Sequence, residues 1–211
     1  MPKQSTITQR RREREKAQRR EHILDCAEDL VIRDGLDGLS IDAVAKEAEL
    51  AKGTLYLYFK NKEAILEHLT IRVRVYLLKK FHEEADLHEN PLDKLKGILL
   101  LTHRMHNESG LYSHLMAFDQ HNHRLFESKE LAQASKNITA FVVSLIDQGK
   151  AQGLIRQDVH AANFAYIMWG TSVGMTQMVE ARQEVIKGEA HQSADSIFHD
   201  YAHFFIQGIK A

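Results

Sequence analysis

Two prolines in 211 residues, Pro2 and Pro91, leave this chain almost free of the residue that most effectively interrupts a helix. Apolar residues recur at three- and four-residue intervals along nearly its whole length, and no stretch alternates with the two-residue period of a strand. The fold class that follows is all-α. The length suits a small domain followed by a larger one within a continuous fold, and a hydrophobic content of 44% is ample for a core. No apolar run is long enough to span a membrane and the N-terminus has no signal-peptide core, so a cytoplasmic protein with no membrane partner is expected. The single cysteine, Cys26, excludes an intramolecular disulfide; it falls on the inward stripe of a helix and is assigned to packing.

Ile23, Cys26, Ala27, Leu30 and Val31 repeat at helical spacing up to Gly35 and define a first amphipathic helix. After the turn 34–38, Ser40 is placed to cap a second helix with Ile41, Val44, Ala45 and Ala48 on its apolar face, although Ala43 takes the position where a capping box needs Glu or Gln. The break 49–51 leads into residues 51–62, expected as a short helix. Leu55 and Phe59, four apart, anchor it, leaving Lys52, Thr54, Tyr56, Leu57 and Tyr58 around the outward side. Cations and hydroxyls suit phosphates and base edges, while Tyr and Leu offer apolar contact to thymine methyls. With Leu55 and Phe59 filling the inward positions, at least one of Tyr56 and Tyr58 is left for DNA. Asn61 then caps a longer helix, whose free N-terminal amides and Lys62 make a phosphate site. Two short helices joined by a tight turn over a supporting helix form a helix-turn-helix.

Residues 19–69 resemble the TetR family of bacterial transcriptional regulators, through Ile41-x-x-Val44-Ala45-x-x-Ala48 and Lys52-Gly53-Thr54-Leu55-Tyr56-x-Tyr58-Phe59-x-x-Lys62-Glu63. Leu50 departs from the small or β-branched residue frequent there. The resemblance implies that Lys52, Gly53, Tyr56 and Leu57 approach bases and that Thr54, Tyr58 and Lys62 hold phosphates; the cap residue Ser40 completes the expected DNA-binding set. It also implies a division into a basic N-terminal arm at 1–18, a three-helix helix-turn-helix DNA-binding domain at 19–66, and a helical ligand-binding and dimerisation domain at 67–211.

A net charge of −1 is unusual for a DNA binder until it is divided along the chain. Residues 1–22 carry eight Lys/Arg against three acids, a net +5, and residues 23–62 carry five bases against eight acids. Positive charge is therefore concentrated in the arm and the reading segment. The arm either extends the first helix through Glu/Arg pairing or remains a solvated tail; its functional reading is a backbone or minor-groove contact that adds affinity with little sequence information.

Beyond Leu69, periodicity predicts a fourth helix reaching Ala85 and five more, at Pro91–Glu108, Leu111–His121, Leu125–Gln152, Asp158–Ile186 and Ser193–Ile209. Residues 161–178 are apolar nearly all round, with Phe164, Met168, Met175 and Met178 on one side and Trp169 and Val173 on another, so this helix needs partners on more than one face. Gly170 and Gly174 permit close helix approach, and the last helix adds Ile197, Tyr201, Phe204 and Phe205. Together these form the expected homodimer interface, as the resemblance also implies. Two-fold symmetry would set the reading segments about 34 Å apart, matching a palindromic operator in double-stranded DNA. Met105, Tyr112, Met116, Phe118, Phe141 and Trp169 are candidate walls of an effector cavity, with His103 and Gln177, and further His114 and Thr139, as polar contacts.

The thirteen histidines include the pairs His103/His106, His121/His123 and His199/His203, each offering only two ligands, so neither a metal site nor a cofactor is expected. No Gly-rich phosphate loop, zinc motif or nucleophile–base arrangement points to an enzyme. The leading function is a homodimeric repressor released from its operator by an unknown small-molecule effector. The alternative is a TetR-like DNA-tethered protein-interaction factor, such as a nucleoid-occlusion regulator of division, with many dispersed sites and no inducer; a metal-responsive regulator comes third. A nucleoid-associated location follows from any of these.

Overall fold

The computed structural model describes residues 7–115, 128–188 and 193–211, and among these the regular structure is helical, with one isolated antiparallel bridge, Ile155 to Lys210. Helix α1, Ile7–Gly38, extends well beyond the apolar stripe in the N-terminal direction. Part of the basic arm therefore continues the helix, and Arg11 pairs with Glu15 one turn on at 2.8 Å. The buried stripe starts at Ile23 and includes Ala27, Leu30 and Val31. Gly35, at φ 71°, takes the chain out of helical geometry, as only glycine does at little steric cost.

Helix α2, Ile41–Glu47, starts where Ser40 accepts a hydrogen bond from the Ala43 amide at 3.1 Å and buries Val44 and Ala45. Helix α3, Lys52–Leu55, is much shorter than the segment expected to be helical. Past it the bonds tighten, with the Leu57 amide on the Thr54 carbonyl and the Tyr58 amide on the Leu55 carbonyl, and Asn61 begins a new helix by accepting from the Ala64 amide at 3.0 Å. Tyr-Leu-Tyr-Phe contributes little helix propensity, and the next cap follows at once.

Helix α4, Lys62–Ala85, inserts Ile65, Leu66, Leu69, Val73, Leu77 and Phe81 into one core that runs through the whole chain, so the division expected at residue 66 falls inside a single helix. Helix α5, Pro91–Glu108, has the predicted Asn90 cap and first-turn proline. Residues 110–115 (α6) are capped by Ser109. Helix α7, Lys129–Ala151, follows the Ser128 cap, later than the predicted start at Leu125; residues 116–127, with the end of the helix predicted over Leu111–His121, lie outside the described residues.

The helix predicted over Asp158–Ile186 is two helices. Helix α8, Ala161–Ala181, begins after His160, whose Nδ1 accepts from the Asn163 amide, and ends at Arg182; α9, Gln183–Gly188, follows. Helix α10, Ala194–Gln207, opens with a Ser193/Ser196 capping box. Helix α4 packs on α5 and α7, α7 on α8, and α10 on α5. A second small cluster, Val179, Ile186 and Phe198, joins α8, α9 and α10. No helix among the described residues is long and apolar enough to cross a membrane.

Candidate nucleic-acid interface

Leu55 and Phe59 are the anchors that hold the reading segment, at 0% and 2% exposure. Burying two such side chains contributes about 1.5–3 kcal/mol each. What they leave outside is Leu57 at 74% exposure, Tyr56 at 49%, and the exposed Lys52 and Gly53. A Cβ added at Gly53 would meet nothing within 4 Å, so open space lies over that part of the backbone. Thr54 is half-buried. Tyr58, also expected outward, is half-buried and packs in part against the core.

The cations are held in place by neighbours. Lys52 Nζ lies 2.8 Å from Asp42 on α2, a carboxylate that raises the lysine pKa first through the hydrogen bond and then through charge. Both groups are largely exposed, so the pair is weak enough for a phosphate to displace it. Lys62 Nζ donates to the Leu36 carbonyl at 2.8 Å and ties the start of α4 to the turn after α1. Ser40 is exposed while its hydroxyl oxygen serves as the α2 cap. The Lys52, Gly53, Tyr56 and Leu57 side therefore forms one surface patch, with Ser40 at the start of α2 and Lys62 at the start of α4.

Two contacts fasten α1 to α4 beneath this patch. Arg20 sits over the Phe59 ring, 4.9 Å from its centroid, and touches His68. Arg72 reaches Glu21 at 2.5 Å, Asp25 at 2.8 Å and Glu28 at 3.3 Å, all on α1. This clamp was missed in the sequence, where Arg72 and Arg74 are visible only as charges interrupting the apolar run of α4.

Several openings lie in the larger part, and three of them bear on the expected effector residues. A cavity of about 40 Å³ between α5, α6 and α8 is lined by Tyr112, Trp169 and Gln177, so three of the expected effector residues do meet; Thr102, His106, Ser172 and Glu180 share its wall. Between α4, α7 and α8 lies a second cavity of about 140 Å³, with Arg74, Phe81, Thr139 and Trp169 in its wall. A groove of about 700 Å³ between α1, α4, α5 and α6 takes in Met105 and Tyr112. Two expected residues, the polar contact His103 and the wall residue Phe141, lie elsewhere. His103 is stacked on Phe198 at 3.7 Å between ring centroids and bonds Asp195 at 3.1 Å, because the α5 face carrying it turns to α10. Phe141 packs on His82, 4.1 Å between centroids. Met116 and Phe118 lie outside the described residues, as do His121 and His123.

Of the other histidines, His106 meets Glu180 at 2.7 Å, and among the described residues no three His, Cys, Asp or Glu side chains gather as a metal site would require. Burial pushes the Cys26 thiol pKa up, which fits a packing cysteine.

On α8, Gly170 and Gly174 are exposed, and a Cβ on either would meet nothing in this chain. Around them lie Tyr166 at 69% exposure, Ile167 at 55% and Met178 at 42%, and α10 adds Phe204 at 69%. Ile197, Tyr201 and Phe205 are half-buried beside it, and the Tyr201 hydroxyl lies 2.6 Å from that of Thr171, holding α10 to α8.

A two-part helical chain that presents a helix-turn-helix patch on a supporting helix is a DNA-binding regulator in architecture, and residues 23–69 match the family of bacterial regulatory proteins named for tetR. Residues 23–69 thus carry the DNA-binding domain of that family, and the curated relatives that the chain matches are transcriptional regulators. It is 24% identical over 162 residues to the HTH-type transcriptional regulator UidR of Escherichia coli strain K12, covering 77% of this chain and 82% of that one. It is 25% identical over 154 residues to the HTH-type transcriptional repressor KstR2 of Mycolicibacterium smegmatis, covering 68% and 70%. The solved structure of the regulator FadR from Bacillus subtilis in complex with stearoyl-CoA shares the fold, with TM-score 0.67 and 19% identity over 90% of this chain and 98% of that one.

Proposed function

We propose that the protein is a homodimeric repressor that binds a palindromic operator and leaves it when a small apolar or amphipathic molecule enters the larger domain. The observation that carries the reading is the separation of roles in the reading segment: Leu55 and Phe59 are buried, while Lys52, Gly53, Tyr56 and Leu57 share one open surface. In this reading the latter four meet bases and Thr54, Tyr58, Lys62 and Ser40 meet the backbone. The +5 charge of residues 1–22 adds nonspecific attraction.

The apolar side of α8 and α10 supports dimerisation, because an exposed patch of Tyr166, Ile167, Met178 and Phe204 is costly to leave in water. The kinship with KstR2 supports repression, and the fold shared with a regulator crystallised with stearoyl-CoA supports an amphipathic signal. Release requires only that the ligand prefer the conformation in which the reading segments are out of register. A gel shift on the DNA flanking the protein's own gene tests the core of this: folded protein should retard a palindrome, and absence of retardation at low salt would remove the proposal.

A further inference from the structure

His68, in the second turn of α4, stands where α1, α4 and the reading segment meet. Arg20 of α1 hydrogen-bonds its Nε2, and the ring of Phe59 lies edge-on to its own, 5.8 Å between centroids. The Arg20 guanidinium is also 4.9 Å from the Phe59 centroid, so the three side chains form one cluster around the anchor of the reading segment. A guanidinium has donors and no acceptor, so it can bond only an imidazole nitrogen that carries no proton. The contact therefore assigns His68 the neutral form, with its proton on Nδ1. The charged groups around the ring are Arg20 and Glu21 on α1, Glu67 beside it on α4 and Glu130 on α7. Burial first, and then Arg20, hold its pKa below the usual imidazole value against the pull of the three carboxylates.

From this cluster we infer that His68 is a positioning residue for operator reading: neutral, it holds Arg20 against Phe59, and protonated, it releases that hold. The inference rests on the reading that the segment anchored by Leu55 and Phe59 meets DNA, and deepens it by naming the residue through which pH reaches that segment. A proton on Nε2 removes the acceptor and sets two cations in contact beside a buried ring. Neither helix is free to retreat. Glu67 accepts from the Ser128 amide at 3.0 Å and ties this turn of α4 to the start of α7, while Arg72, one turn on, is bonded to Glu21, Asp25 and Glu28 of α1. The repulsion is relieved when Arg20 leaves Phe59, which loosens the anchor behind Lys52, Gly53, Tyr56 and Leu57. Operator binding therefore favours unprotonated His68 and weakens as pH falls below 6.5 towards the lowered folded pKa. Sequence-independent attraction runs the other way, because the thirteen histidines of the chain gain positive charge over the same range.

The full chain is tested in gel shifts from about pH 7.5 to about 5.5, on the DNA flanking its own gene and on a shuffled duplex of the same length, with helix content followed at each pH. Affinity for the flanking DNA should fall by about tenfold at constant helix content, while the shuffled duplex binds as well or better. His68→Gln and His68→Asn keep a side-chain carbonyl that can accept from Arg20 and does not titrate. Each should bind like the parent at neutral pH and keep that affinity in acid. His68→Lys, charged throughout, should bind the flanking DNA weakly at every pH with its helix content retained. A folded Gln or Asn variant that declines in acid as the parent does overturns the inference, because the proton then acts elsewhere. The parent profile tests the inference even if no variant folds. Specific binding by the parent that is flat or stronger in acid would sink this inference alone and leave the regulator reading standing. Absence of specific binding at every pH would sink both.

Discussion

Glu49, in the turn between α2 and α3, carries φ 54°, and among the described residues it is the one non-glycine with positive φ. Such a conformation costs a residue with a Cβ about 1–2 kcal/mol. Glycine removes that cost but loses about 0.5–1 kcal/mol of chain entropy, so Glu49→Gly should raise stability by roughly 0.5–1 kcal/mol in urea unfolding. A variant no more stable than the parent would show that the turn is unstrained. His103 sets a pH dependence of the opposite kind to a surface ion pair. Burial lowers its pKa first; Asp195 works against that, and the neighbouring His106 and His199 add to the lowering. The folded state therefore holds His103 neutral, whereas the unfolded chain takes up a proton below about pH 6.5. Stability is complete above that pH and declines as pH falls towards the lower folded pKa. His68, lowered by burial and then by Arg20, adds in the same direction. Thermal melts between pH 7.5 and about 5 should show this fall, and His103→Asn should have a shallower slope whatever its absolute stability. An unchanged slope would place the proton uptake elsewhere.

Helix starts marked by a capping residue were legible because capping is a local event. Ser40, Asn61 and Asn90 all cap where their types and positions indicate, and Pro91 occupies the first turn of α5. Helix ends were harder. The break at Arg182 has no glycine or proline to announce it, and Val179 and Ile186, seven apart, keep the helical period across it because both join the same small cluster. The cavities were less legible still, since Arg74, Thr139 and Trp169 are far apart in sequence and only packing brings them together. Within the reading segment the sequence separates the anchors Leu55 and Phe59 from the exposed Lys52, Tyr56 and Leu57, whereas Thr54 and Tyr58, expected outward, are half-buried. The separation has a measurable consequence. Phe59→Ala should cost about 3–5 kcal/mol of stability. Lys52→Ala and Tyr56→Ala, on exposed groups, should leave the melting temperature nearly unchanged and weaken the operator gel shift by about tenfold or more, the size of a lost base or phosphate contact. If both bind the operator as the parent does, their assigned role is wrong.

Among the described residues there are one main core with a small satellite cluster and a set of exposed apolar side chains on α8 and α10 that no described residue covers. These two facts belong together if two copies meet on α8 and α10. Gly174 makes the idea testable without harming the fold, because a side chain built there meets no atom of its own chain within 4 Å. In a dimer that packs on this face, the same side chain would enter the partner. Gly174→Arg should therefore melt at the temperature of the parent while sedimenting as a monomer at concentrations where the parent is a dimer. Its effect on DNA would be much larger than on stability. Each copy would engage half a palindrome alone, and losing the linkage between two half-sites should weaken operator binding by about a hundredfold or more. A Gly174→Arg protein that remains dimeric and binds the full operator normally would move the interface off α8, and the exposed Tyr166, Ile167 and Phe204 would then need another partner to explain them. Monomer formation without loss of operator binding would instead separate dimerisation from DNA reading, and with it the requirement for a palindrome.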